Sequence, residues 1–143
     1  DILVRSMPDP PRITEAGSSA WYRPVDDFVN IPPLERFKTA DAFYVTLFHE
    51  LGHATGHEKR LKRSGVTGEA RFGSGEYSRE ELVAELTSAF CCATVGLDNQ
   101  LMEDSASYIK GWLEVLKADP KAVVIAAAQA QRAADHIRGV MYQ

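Results

Sequence analysis

The segment "TLFHELGHATGH", residues 46–57, restricts this chain more than any other. His49 and His53 stand four residues apart, with Glu50 after the first, among Leu47, Phe48 and Leu51. Residues four apart share one face of a helix, with Cβ atoms roughly 5–6 Å apart. The surrounding run "TADAFYVTLFHELGHAT" has the marks of a helix. Thr39 is suited to cap it, Asp41 places negative charge in its first turn, and Gly56 follows its end. Its apolar residues leave little polar face, so the helix is expected to be buried. Two imidazoles and a carboxylate within an apolar helix need partners, because unpaired buried charge is costly. A metal ion supplies them.

The pattern is His-Glu-x-x-His, the helix signature of zinc-dependent peptidases. His49 and His53 are expected to bind one Zn2+ per chain through imidazole nitrogens at about 2.0–2.1 Å. Glu50 is rotated to the side, within reach of a water rather than of the ion. It is the expected catalytic base, since zinc lowers the pKa of a bound water to about 7. His57 extends the spacing but not the site: on a continued helix it would lie about 12 Å beyond His49. One class of such enzymes turns back at a glycine to a third histidine, but the matching position here is Lys59. His57 is therefore expected to cap, to support the site from behind or to face substrate.

A third protein ligand must come from elsewhere, and "SREELVAEL" is the source. Glu81 and Glu85 share a helical face, whereas Glu80 is expected to point away from them. Ser78 and Glu81 also form a capping-box pattern, which by itself would account for Glu81. Glu85 sits in an apolar stretch that solvates a carboxylate poorly. The preferred assignment puts Glu81 on zinc and Glu85 behind a histidine, where a carboxylate commonly orients a ligand. The reverse assignment stays open.

The remaining sequence sets the frame. "RIT", "SAWYR" and "DFVNIP" read as short strands, and a helix follows each later turn signal, so the order is sheet first and helices after, an α+β class. The strand near Phe28 to Ile31 is expected at an exposed edge, able to pair with an extended substrate. "SASYIKGWLEVLKAD" and the Ala-rich "PKAVVIAAAQAQRAADHIRGV" read as two closing helices, with Pro120 in the first turn of the second. Tyr44 and Tyr108 are expected in the core, and His136 at a surface or interface. The net charge of −4 makes the domain a poor electrostatic match for nucleic acid. The basic run "KRLKR", Lys59 to Arg63, is expected to be a solvated helix end or loop, with a phosphate-binding patch as the alternative. Cys91 and Cys92 are adjacent, which disfavours a disulfide and suits buried thiols in a cytoplasmic protein. No apolar run is long enough to span a membrane. The chain begins at an Asp and is expected to be a single domain, the C-terminal part of a longer protein.

"FHELGHATGHEKRLKR" followed by "YSREELVAEL" resembles the zincin-like metallopeptidase domain of ArdC-type antirestriction proteins, which are encoded on conjugative plasmids and other mobile elements. "AWYRPVDDFVNIPPLERF" and the last two helical segments are similar to that family as well, so the likeness covers most of the chain. It implies a gluzincin arrangement, with Glu81 on zinc and Glu85 supporting from one turn later. It also implies that single-stranded DNA binding belongs to a separate N-terminal domain, not to these residues. The expected activity is hydrolysis of a peptide or protein substrate by metal-activated water. His57 and Tyr77 are the candidates to contact substrate or stabilise its negative intermediate. A zinc-stabilised module that protects DNA or binds a partner protein without cleaving it is the alternative.

Overall fold

Three short runs between Arg12 and Ile31, rich in β-branched and aromatic residues, form a small sheet. In the computed structural model, which describes residues 2–68, 75–97, 113–114 and 117–140, these are β1 (Arg12–Glu15), β2 (Trp21–Arg23) and β3 (Phe28–Ile31). Their order is β1-β3-β2. β1 runs parallel to β3, with Ile13 opposite Val29, and β2 runs antiparallel to it, with Tyr22 opposite Val29. The sequence placed β3 at an edge; it is the central strand, with its backbone paired on both sides. Asn30 explains part of this. Its side-chain amide donates to the carbonyls of Ala16 and Ser19 at 2.9 Å, holding the β1–β2 connection against β3.

A short helix, α1 (Ile2–Arg5), precedes the sheet. It was not foreseen in this proline-rich stretch; Leu3 and, just beyond it, Met7 anchor it in the core. After a 3-10 turn at Leu34–Arg36 comes α2 (Ala40–Ala54). Thr39 caps it as expected, accepting from the Ala42 N–H at 3.0 Å. A single turn, α3 (Ser64–Thr67), leads to the long α4 (Gly75–Val95). Gly96 stops α4 in the left-handed region at φ 72°, and the Leu97 N–H reaches back to the Cys92 carbonyl. The last described helix, α5 (Ala122–Ile137), starts two residues after Pro120 and buries a stripe from Ala122 through Ala126 and Ala130 to Ala134. The expected helix before it, with Tyr108 and Trp112, lies outside the described residues apart from short pieces.

The main core joins β3, α2, the end of α4 and the end of α5, with Phe48, Leu51, Val29, Ile31 and Ile137 almost fully covered. Cys91 and Cys92 are free, buried thiols within it, as expected. Tyr44 packs between Phe43 and Phe48. Among the described residues no helix is long and apolar enough to cross a membrane.

Helix α2 crosses α4 at Gly52. A Cβ there would stand 3.2 Å from both the Ala84 Cα and the Thr87 Cβ, so the crossing depends on a missing side chain. Gly52 lies beside His53, and Ala84 lies one turn from Glu81. Overpacking of this kind costs about 1–3 kcal/mol. Gly52→Val is expected to lower the thermal midpoint by several degrees and to weaken metal binding at the same time. Unchanged melting would show that the crossing tolerates a side chain.

Candidate metal centre

Helix α2 presents His49 and His53 on the face that meets α4, and α4 presents Glu81 to both. The three offer one donor atom each, all within 4.8 Å of one another. His49 Nε2 is 3.1 Å from Glu81 Oε2, and His53 Nε2 is 3.1 Å from Glu81 Oε1. The rings sit edge to face, centroids 4.9 Å apart. Tetrahedral ligands about 2.1 Å from an ion stand about 3.4 Å apart, so these contacts are of the right order. Two imidazoles and one carboxylate are also a donor set that catalytic zinc sites use.

The charge balance fits a cation as well. Burial works against a charged His53, but Glu81 and Glu80 outweigh it and hold its pKa well above the usual histidine value. Burial likewise works against a charged Glu81, yet His53 and His49 pull its pKa far below the ordinary carboxylate range. Without metal the site therefore draws a proton onto His53. A divalent ion held here would replace that proton, because imidazole must be neutral to ligate.

Glu50 lies beside His49 on α2 and is buried, at 7% exposure. Glu85, one turn past Glu81, approaches the other edge of His49: its Oε1 is 3.8 Å from Nδ1. That is beyond hydrogen-bond length, and His49 Nδ1 is the one buried side-chain nitrogen or oxygen without a hydrogen-bond partner among the described residues. Glu85 is thus on the expected side of a histidine without bonding it there. Glu81 is not a helix cap, since α4 begins at Gly75 and both Ser78 and Glu81 fall inside it. Tyr77, half-buried, lies one turn before Glu81. His57 is outside the three-residue group. Its Nδ1 accepts from the Lys59 N–H at 3.1 Å, so it organises the turn after α2.

Two expectations are corrected here. Glu80 does not point away: its Oε2 accepts from His53 Nδ1 at 2.7 Å. The imidazole is wedged between consecutive carboxylates, one on each ring nitrogen, which helical spacing alone does not suggest. Nor is the basic run simply solvated. Lys59 and Lys62 are exposed, but Arg60 and Arg63 turn inward. Arg60 makes a two-pronged pair with Asp27 at 2.8 and 2.7 Å and also bonds the Ala54 and Asp9 carbonyls. Arg63 pairs with Glu80. Lys62 adopts the left-handed region, φ 47°, which directs the chain so that Arg63 enters the protein. The signal for these arginines was a basic run directly after a buried helix, but their acidic partners, Asp27 and Glu80, are distant in sequence.

Comparison with known proteins places the fold in a family. A family model described as a zincin-like metallopeptidase, MPTase-PolyVal, matches residues 9–129. The y4eC protein of Sinorhizobium fredii is 45% identical over 123 residues, which are 86% of this chain and 39% of that protein. The DNA primase TraC of Escherichia coli is 37% identical over 122 residues, 85% of this chain but only 8% of the primase. The crystal structure of the antirestriction protein ArdC from plasmid R388, in its Mn(II)-bound form, superposes with a TM-score of 0.80 at 34% identity. The match covers 99% of this chain and 52% of ArdC. The metal-free ArdC structure gives 0.79, covering 95% and 47%. The chain thus spans about half of ArdC and less than half of these curated relatives.

Proposed function

Because this chain belongs to the zincin-like metallopeptidase family, we propose that it is a metal-dependent peptidase domain in which His49, His53 and Glu81 hold one divalent ion. The observation that carries this reading is the convergence of those three side chains from two helices on one point. Zinc is the proposed ion, because a set of two imidazoles and a carboxylate suits it. The Mn(II) in the ArdC structure supports a divalent ion in this fold. When bound, such an ion polarises a peptide carbonyl and lowers the pKa of water.

The chain's own residues supply the rest. Glu50 takes the proton from the attacking water on its carboxylate and returns it to the departing amide nitrogen. Glu50 is buried and follows His49 directly on α2, and this adjacency to a ligand is what supports the assignment. Glu85, 3.8 Å from His49 Nδ1, adds negative charge beside that imidazole without a hydrogen bond to it. Tyr77, one turn before Glu81, is the proposed substrate contact, while His57 is assigned to the turn. Substrate pairing with β3 is not proposed, since that strand is already paired on both sides. By its likeness to ArdC, the domain is proposed to serve within an antirestriction protein of a mobile element.

The test is hydrolysis of an unfolded protein substrate with and without metal. A chelator is expected to abolish cleavage, and one equivalent of Zn2+ per chain to restore it. Cleavage that survives complete removal of metal sinks the proposal.

A further inference from the structure

Two consecutive glutamates on α4 meet opposite edges of one imidazole. Glu81 faces His53 Nε2 at 3.1 Å, while Glu80 accepts from His53 Nδ1 at 2.7 Å. The Glu80 carboxylate is itself gripped by Arg63, whose Nε donates to Oε1 at 2.8 Å and Nη2 to Oε2 at 3.1 Å. The same guanidinium donates from Nη2 to the Gly52 carbonyl at 2.7 Å and from Nη1 to the Thr55 hydroxyl at 2.8 Å. Those two residues flank His53 on the last turn of α2. One arginine therefore ties the histidine's carboxylate partner and the histidine's own helix turn into a single unit.

Both charged groups are 7% exposed, and room for them is kept by glycines. A Cβ at Gly65 would stand 2.7 Å from the Glu80 Cβ, and one at Gly56 would stand 2.9 Å from Arg63 Nη2. A buried ion pair is rarely more stabilising than apolar residues of the same volume, so stability alone is a poor reason for this one. Fixed orientation is a better reason. A carboxylate on the outer nitrogen of a ligating histidine sets its tautomer and ring direction.

We infer that Arg63 and Glu80 are positioning residues of the metal centre: Arg63 fixes Glu80, and Glu80 holds His53 with its proton on Nδ1 and Nε2 turned toward Glu81. This rests on the reading of His49, His53 and Glu81 as ligands. The two imidazoles are consequently unequal, since His49 Nδ1 has no such bond.

The test is Zn2+ affinity of the purified chain by chelator competition, with the visible absorption of the Co2+-loaded form as a second readout. Glu80→Ala and Arg63→Met are expected to bind one Zn2+ about 10–100-fold more weakly and to shift the Co2+ bands. Glu80→Gln recovers part of the loss, because its amide oxygen still accepts from Nδ1. If Glu80→Ala does not fold, Glu80→Gln decides: weaker binding supports the inference. Wild-type affinity and an unchanged Co2+ spectrum in Glu80→Gln overturn it, and so does the same result in folded Glu80→Ala. Glu81→Ala separates the two levels. If it binds Zn2+ like the wild type, the ligand assignment itself has failed, whatever Glu80 does.

Discussion

Glu50→Gln is expected to keep the metal and lose hydrolysis. The substitution preserves the shape of the side chain and removes its ability to accept a proton. A positioned general base contributes about 10²–10⁴-fold, so turnover of a protein substrate should fall by that factor while metal content stays at one ion per chain. The same variant separates a peptidase from a module that only binds. If antirestriction by the full-length protein persists undiminished in Glu50→Gln, cleavage is not how the domain serves that role. If Glu50→Gln hydrolyses substrate at the wild-type rate, Glu50 is not the base.

Arg60→Met is expected to cause the largest loss of stability. The Arg60 side chain is fully covered, and it ties three parts of the fold together: the end of α2 at Ala54, the β2–β3 turn at Asp27, and Asp9 ahead of the sheet. Tyr22 donates to the same Asp27 carboxylate at 2.8 Å. Removing one partner of a fully buried ion pair costs about 3–5 kcal/mol; this pair is part-buried, so that range is the upper bound here, still a large share of the roughly 5–15 kcal/mol that holds a typical domain folded. The pair also gives the loss a pH dependence. Burial works against the charged Asp27, but Arg60 and Tyr22 outweigh it and lower its pKa below the ordinary aspartate value. A carboxyl lowered on folding stabilises the native state above its unfolded pKa, about 3.9, and that contribution fades as the pH falls through the folded value. Denaturant unfolding at pH 7 and at pH 3 should show the gap between wild type and Arg60→Met narrowing in acid. An equal gap at both values would mean that packing of the arginine, rather than its pairing, carries the effect.

The parts of this molecule that were legible in its sequence are those encoded locally. His49, Glu50 and His53 are set by the period of one helix, and Thr39 and Gly96 mark helix ends with their own chemistry. The three strands were legible for the same reason. Their order was not, because the parallel pairing of β1 with β3 skips β2, and alternation of side chains says nothing about which strands pair. Glu81 was reached by asking what a two-histidine site lacks, although its neighbour Ser78 offered a misleading cap. Glu80 was misread because helical spacing compares residues on one helix, whereas its partners, His53 and Arg63, come from α2 and the turn after it. Arg60 and Arg63 were hidden by their setting: in a run with Lys59 and Lys62 all four look alike, and only the left-handed turn at Lys62 and the distant carboxylates of Asp27 and Glu80 distinguish them.

The central claim is that two helices bring three named side chains to one ion. Metal content per chain, measured across single substitutions after purification, tests it most directly. His49→Ala, His53→Ala and Glu81→Ala should each retain no ion, whereas His57→Ala and Glu85→Ala should each retain one. Loss of the ion in Glu85→Ala together with its retention in Glu81→Ala would contradict the account.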